Sequence, residues 1–258
     1  MDVLMVVVWS DGRAGGAAQA DSGALIEAVA AAVDAPLAGL GVTEYLVNVR
    51  DEQVAGAMID VQVTPLPVLA AVRVRVPAAS AAACAEVIEA LGALGAVSAW
   101  SVTASEPLPV ERVASEVSAA PGGAPGGAHA RARRSAGMAN LAFLRRPERI
   151  GRDEWLRIWL EDHTRVAIDT QSTTGYTQHV VVRALTEDAP VIDGIVEEIF
   201  PIEAARDLGV FFDSRGSEDR MAANVRAMTT STARFLDQGT VDAVPTGRYV
   251  MSVRGPVV

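Results

Sequence analysis

The chain has 258 residues, half of them hydrophobic, and it carries a formal net charge of −10 without a single lysine. This acidity argues against electrostatic binding to nucleic acid or to an anionic membrane. Because arginine stays protonated it cannot form a Schiff base, so lysine-dependent aldolase and pyridoxal-phosphate chemistry are excluded. The single cysteine, Cys84, excludes an intrachain disulfide and cysteine-held zinc or iron–sulfur centres.

The first apolar run, residues 3–9, is too short to span a membrane and has no positively charged segment before it. It therefore predicts a buried strand and not a signal peptide. No run of the chain reaches the length of about eighteen apolar residues that a membrane span needs. We expect a cytoplasmic protein with no membrane partner.

The hydrophobic pattern of the first half predicts four strands and two helices. The clearest strand alternates Val72, Val74 and Val76 with Arg73 and Arg75, so its two faces meet different surroundings. The predicted elements are strand 3–9, a helix through 25–33 that ends near Pro36, strand 41–50, strand 70–76, helix 80–94 and strand 97–105.

A Pro- and Gly-rich stretch that ends in a basic run separates the two halves. It has nothing apolar to bury, which predicts a flexible linker at 119–136, between a first unit at 1–118 and a second at 137–258. His129 lies within it and is given no role. Its three arginines, Arg131, Arg133 and Arg134, are expected to form a solvated charge run.

The second half repeats the order of the first. The predicted elements are strand 139–144, helix 151–168, strands 176–183 and 194–200, a longer helical region and a final strand 242–252 interrupted by Pro245. The order β-α-β-β-α-β in each half is that of a ferredoxin-like unit. Such a unit leaves one sheet face open, and two units can bury these faces against each other. We expect an α+β protein in which two fused ferredoxin-like units pair their sheets as an intramolecular dimeric α/β barrel.

The helix predicted at 151–168 carries an unusual buried stripe. Trp155, Ile158, Trp159, His163 and Val166 follow at helical spacing and should share one face. A histidine on such a stripe serves either as a hydrogen-bonded core residue or as a general acid or base near neutral pH. The sequence leaves both readings open.

The second half resembles the EthD family of the dimeric α/β-barrel superfamily. The resemblance covers residues 137–252 and is carried by Phe143-Leu-Arg-Arg-Pro, by Arg152-Asp-Glu-Trp-Leu-Arg-Ile-Trp-Leu-Glu-Asp-His163 and by Tyr176-Thr-Gln-His-Val. It implies a ligand pocket between sheet and helices, with His163 at its wall. The first half lacks the tryptophan and histidine of this motif, and so resembles a diverged, structural copy.

Several residues are candidates for the site. The proposed catalytic residue is His163, and the proposed substrate-binding residues are Trp155, Trp159, Tyr176, Asn140, His179 and Glu198. His179 lies on the strand face opposite Tyr176, where a packed histidine is the plainer reading. Glu197 and Glu198 alternate, so one of the two must face inward, where an unpaired carboxyl gains a raised pKa and becomes a candidate base.

Relatives implied by the resemblance include cofactorless monooxygenases, isomerases, dehydratases and decarboxylases that act on aromatic or polyketide-like molecules, as well as haem enzymes. We therefore expect a cofactor-independent oxidoreductase or lyase that acts on a small hydrophobic molecule, as a monomer or homodimer. The alternative is a non-catalytic binding or accessory protein. Two weaker hypotheses are haem ligation by His163, and an iron site built from His163, His179 and Glu197 or Glu198. No cofactor and no metal are expected.

Overall fold

The computed structural model describes residues 1–10, 21–110 and 131–254. Most of the loop predicted after the first strand, and residues 119–130 of the predicted linker with His129, lie outside these ranges. The described strands are β1 (Asp2–Trp9), β2 (Glu44–Val49), β3 (Val68–Val76), β4 (Ala96–Leu108), β5 (Ala132–Arg134), β6 (Met138–Leu144), β7 (Gly175–Ala184), β8 (Gly194–Phe200) and β9 (Asp242–Ser252).

Eight of these strands form a closed antiparallel barrel. The order around it is β2-β3-β1-β4-β7-β8-β6-β9, and pairing of β9 with β2 closes the ring. Each half contributes four adjacent strands in the same relative order, second-third-first-fourth. The halves meet at two seams, β4 with β7 and β2 with β9. The barrel predicted from the sequence is confirmed.

The helices pack on the outside of the barrel. Two belong to the first half, α1 (Ser22–Gly39) and α2 (Ala85–Gly92). The second half carries α3 (Arg152–Arg157), a π-helical turn (Ile158–His163), α4 (Thr164–Thr170), α5 (Leu208–Phe211) and α6 (Glu218–Ala233). Helix α1 continues past Pro36 to Gly39, contrary to the prediction, because Leu37 is fully buried against the core and its position holds the last turn in place.

Helix α1 is also the one described helix that is long and apolar enough, by length and composition, to cross a membrane. The sequence was expected to contain no such segment. In the structure, one face of α1 packs into the core that it shares with the first-half strands, through Ile26, Val29, Val33 and Leu37.

Each barrel strand has an outer face toward the helices and an inner face toward the barrel axis. Val72 and Val74 lie in the outer core with α1, while Arg73 points inward, as the alternation predicted. The inward residues are not uniform along the barrel. At one end they are apolar and include Trp9, Trp100 and Phe143; at the other end they are polar. We refer to these as the apolar end and the polar end.

A loop between β2 and β3 covers the apolar end. Val61 pairs with Ala243, and the buried carboxylate of Asp242 accepts hydrogen bonds from the backbone N–H groups of Val63 and Thr64. Arg145 lies 2.9 Å from the other oxygen of Asp242 and supplies the opposite charge. The barrel interior is therefore covered at this end by the protein's own chain.

The basic run before β6 is not the solvated charge run that we expected. Residues Ala132–Arg134 pair with β9 as strand β5. Arg134 lies 2.7 Å from Asp51, whose side chain is fully buried and also accepts from the Tyr249 hydroxyl. Arg131 pairs with Asp34 at 2.8 Å. A buried carboxylate needs a partner of opposite charge, and that demand orders the end of the predicted linker.

Candidate functional site

The helix facing the second-half sheet contains one π-helical turn, at Ile158–His163. The Trp159 carbonyl accepts the backbone N–H of Thr164, five residues on, and also the Thr164 hydroxyl at 2.8 Å. The inserted residue rotates the buried face, which continues through Thr164 and Ala167, while Val166 is only half-buried, against the prediction. Single π-helical turns occur frequently at functional sites.

Three polar side chains of the sheet lie side by side beneath this helix. Asn140 on β6 and Tyr176 on β7 are both paired in register with Glu198 on β8, so the three share the outer face. Trp159 and Gln178 adjoin them. We call Asn140, Trp159, Tyr176, Gln178 and Glu198 the helix-side cluster. All five residues are buried.

Glu198 is a buried carboxyl without a charged partner. Among the described residues no arginine lies within ion-pair distance of it, and burial raises its pKa to about 8. When the side-chain amide of Gln171 is turned so that its nitrogen faces the sheet, this nitrogen donates to Glu198 Oε1 at 3.2 Å. Glu198 is therefore mostly protonated at neutral pH, and it can both give a proton and take one back.

Two polar atoms around Glu198 have no hydrogen-bond partner in the described part of the chain, Asn140 Oδ1 and Trp159 Nε1. The Tyr176 phenol lies beside Trp159 and Thr164, and burial followed by the charge of Glu198 raises its pKa above the ordinary range. Buried polar atoms are almost always paired, so an unpaired acceptor and donor beside a neutral carboxyl mark a place for a bound polar group.

The two tryptophans are fully buried and pack against each other, with ring centroids 5.0 Å apart. The ring edges of both approach β8 at Gly194, where a Cβ would overlap the Trp159 ring. Trp155 Nε1 donates to the Phe235 carbonyl at 2.9 Å. Trp155 is thus satisfied within the core, whereas Trp159 Nε1 lies beside the Tyr176 phenol without a hydrogen bond of normal geometry.

His163 is buried, but it faces α6 and not the sheet. Its Nδ1 lies 3.0 Å from the Ser231 hydroxyl, and its ring packs on Phe235 at 4.6 Å between centroids. Burial and then the charge of Arg234 lower its pKa to about 4, so the imidazole is neutral at pH 7. None of its contacts within the described ranges reaches Tyr176 or Glu198.

His179 lies on the opposite side of the sheet, inside the barrel. Its Nε2 is 2.8 Å from Arg73 Nη1, and its Nδ1 is 3.2 Å from the Ile195 carbonyl. Burial and then the charge of Arg73 lower its pKa to about 3. Since arginine only donates, Nε2 accepts and Nδ1 carries the proton.

The sheet therefore separates His179 and Glu197 from the other predicted site residues. Both glutamates turn out to be buried, Glu197 toward the barrel axis and Glu198 toward the helices. The iron site hypothesised from His163, His179 and a glutamate is not formed. Nor do three or more metal-ligating side chains gather at any point within residues 1–10, 21–110 and 131–254.

No protein-family model and no curated protein matches the chain by sequence. Among solved structures, an anthrone oxidase-like protein superposes with a TM-score of 0.53 at 10% identity, over 100% of this chain and 97% of that one. A provisionally assigned monooxygenase from Lactobacillus acidophilus gives 0.47 at 8% identity, over 100% and 98% of the two chains. A provisionally assigned chlorite dismutase gives 0.40 at 11% identity, over 98% and 96%.

At such identities these comparisons concern the fold alone, and only the first superposition is close enough to support an argument. That superposition indicates a shared fold, in keeping with the closed barrel observed here. None of these comparisons supports the resemblance of the second half to the EthD family, because no family model matches the chain.

Proposed function

We propose that this protein is a cofactor-independent enzyme that moves a proton on a small hydrophobic substrate, of aromatic or polyketide type, bound at the helix-side cluster. The observation that carries the proposal is a buried carboxyl without an ionic partner, Glu198, next to the unpaired Asn140 Oδ1 and Trp159 Nε1. The fold likeness to an anthrone oxidase-like protein supports an aromatic substrate and oxidoreductase chemistry.

In this proposal each residue has a distinct role. The Trp159 N–H donates to a carbonyl or phenolate oxygen of the substrate, and Asn140 Oδ1 accepts from a substrate hydroxyl. Glu198 in its deprotonated form removes a proton from an activated C–H or O–H, and its acid form returns one. The phenol of Tyr176, whose pKa is raised, stays protonated and remains a donor. An oxidase would then pass the electrons of the resulting anion to dioxygen.

Glu198 is preferred to His163 as the proton carrier because of where each side chain points. The Nδ1 atom of His163 is engaged by Ser231, its ring is covered by Phe235, and Arg234 disfavours its protonation. General acid–base work by His163 remains the second version of the proposal, and it rests on the EthD resemblance. Haem ligation by His163, through the Nε2 atom that the hydrogen bond at Nδ1 leaves available, stays the weakest version of the proposal.

The test is turnover of a panel of anthrone-type and hydroxylated aromatic substrates, followed by product formation and dioxygen consumption. Glu198→Gln should lower kcat about 100-fold or more, as expected for the loss of an acid–base group. Glu203→Gln, on an exposed carboxyl, is the matched control. Wild-type rates in Glu198→Gln together with loss of activity in His163→Ala would move the role to His163.

A non-catalytic binding protein is the alternative, and the burial of the whole helix-side cluster favours it, since a closed site can hold a ligand without turning it over. Substrate-panel members that bind with unchanged chemistry in wild type and Glu198→Gln alike would establish this reading. Weaker binding in Asn140→Ala would then place the ligand at the helix-side cluster.

The remaining architecture belongs to the same proposal. We propose that the two halves are fused ferredoxin-like units, with boundaries at 1–118, 119–136 and 137–258. The matching strand order of the halves supports this. We also propose an EthD-like second unit, a cytoplasmic location, a monomer or homodimer, and neither cofactor nor metal.

A further inference from the structure

The polar end of the barrel interior holds a second buried cluster that the proposed function does not use. Glu197 lies at its centre, with Arg73 Nη1 and Arg248 Nε each 3.4 Å from its Oε2. Asn48 donates to Glu197 Oε1 at 3.0 Å and to the Thr246 hydroxyl at 3.2 Å. We call this set, with Thr177 and His179, the inner-barrel cluster.

The charges of the inner-barrel cluster do not balance. Two guanidinium groups face one carboxylate, and His179 is neutral because burial and Arg73 lower its pKa to about 3. Nearer the solvent, Arg75 and Glu106 lie 4.0 Å apart and offset each other. One positive charge is therefore left over among side chains that are nearly shielded from water, at 13% exposure for Arg73 and 12% for Arg248. An unmatched charge of this kind is costly unless a counter-ion joins it.

Hydrogen bonding in the inner-barrel cluster is also incomplete. The Thr177 hydroxyl, on a residue only 1% exposed, has no partner among the described residues, and neither do Glu197 Oε2 and Arg248 Nε by hydrogen-bond geometry. Thr177 is paired in register with Glu197 and lies two residues before His179 on the same face of β7. The unpaired hydroxyl and the excess charge thus lie at the same level of the barrel.

Both arginines are held in place, as a binding site requires. Arg73 Nη1 donates to His179 Nε2 at 2.8 Å, and His179 is anchored through Nδ1 to the Ile195 carbonyl. Arg248 Nη1 donates to the Ser135 hydroxyl at 2.8 Å. Guanidinium groups fixed in this way keep further N–H donors free for a planar, two-oxygen acceptor.

We propose that the polar end of the barrel binds a small monocarboxylate, with Arg73 and Arg248 donating to its oxygens and Thr177 adding a hydroxyl. One negative charge completes the balance, whereas a dianion would be repelled by the nearby Glu197. Apolar side chains adjoin the cluster inside the barrel, Leu141 being paired in register with Glu197, and they suit a short hydrocarbon tail on the carboxylate. This site lies across the sheet from the helix-side cluster and does not depend on the proposed function.

The experiment uses the full-length protein at pH 7 and compares sodium acetate, sodium butyrate, sodium phosphate and sodium chloride at equal ionic strength. Thermal unfolding and calorimetric titration are the two measurements. Acetate and butyrate should raise the Tm well above its value in chloride, with butyrate the stronger, and phosphate should act like chloride. Stabilisation by phosphate with none by the carboxylates would overturn the assignment.

Variants locate the site. Thr177→Val keeps the shape of the side chain and should raise the Kd for butyrate about threefold to tenfold, and Arg248→Gln about tenfold or more. Arg206→Gln is the control, because its guanidinium reaches only the exposed backbone carbonyls of Gln53 and Ala55. An unchanged Kd in Thr177→Val and in folded Arg248→Gln would refute the proposal. If Arg248→Gln does not fold, Thr177→Val alone decides.

Discussion

Glu197 and Glu198 are neighbours in sequence and both are buried, yet the two sides of the sheet give them opposite properties. Burial alone acts on Glu198 and raises its pKa to about 8. Burial also raises the pKa of Glu197, but the charges of Arg73 and Arg248 outweigh it and leave the pKa below its ordinary value. The comparison teaches that burial by itself does not decide the state of a carboxyl; the partners supplied by distant strands do.

The largest expected effect is a loss of stability when the Glu197 carboxylate, and not that of Glu198, is removed. Glu197→Gln removes the carboxylate that two buried guanidinium groups share, so the free energy of unfolding should fall by about 3–5 kcal/mol. Urea unfolding at pH 7 measures it, with Glu203→Gln as the exposed control. A loss below about 1 kcal/mol would mean that solvent, and not Glu197, balances the arginines.

The next effect has the opposite sign and depends on pH. Between its ordinary pKa of 4.5 and its folded value of about 8, Glu198 keeps a proton that the unfolded chain has lost, so its contribution to stability falls as pH rises through this range. Glu198→Gln should match wild type near pH 4 and be more stable by about 3 kcal/mol at pH 7, with the difference still rising toward pH 8. A constant difference between pH 4 and 9 would contradict the raised pKa.

A smaller effect tests the packing on which the helix-side cluster rests. Gly194→Ala places a methyl group against the Trp159 ring and should cost about 2 kcal/mol, with the two indoles displaced from β8. The matched control is Gly92→Ala in α2, where a Cβ meets no atom within 4 Å. Equal unfolding free energies for the two variants would show that the indoles yield without cost. The inner-barrel cluster should keep its affinity for butyrate in both.

Much of the barrel could be predicted from the sequence because strand alternation is a local signal. This alternation placed Val72 and Val74 on one face of β3 and Arg73 on the other. It also placed Tyr176 and His179 on opposite faces of β7. The alternation of Glu197 with Glu198 was also visible, but it did not show that both sides of the strand would be buried. In this closed barrel with outer helices, β8 is covered on both faces along its whole length.

Contacts between distant segments could not be predicted. The π-helical turn changes the direction in which the His163 side chain points. Its partners Ser231 and Phe235 come from a helix and a turn about 70 residues later. The pairing of Arg134 with Asp51 depends on β9, which brings their two segments together. No pattern within one window of the sequence contains such partners, so His163 looked like a pocket residue and Arg134 like a linker residue.

The most direct measurement is a carboxyl titration by ¹³C NMR of glutamate-labelled protein, with Glu197→Gln and Glu198→Gln used to assign the two resonances. Glu198 should titrate with a midpoint near 8, and Glu197 should remain ionised well below the ordinary glutamate range. Two carboxyls that titrate together near 4.5 would contradict the account, because neither the neutral acid of the helix-side cluster nor the arginine-held carboxylate of the barrel interior would then exist.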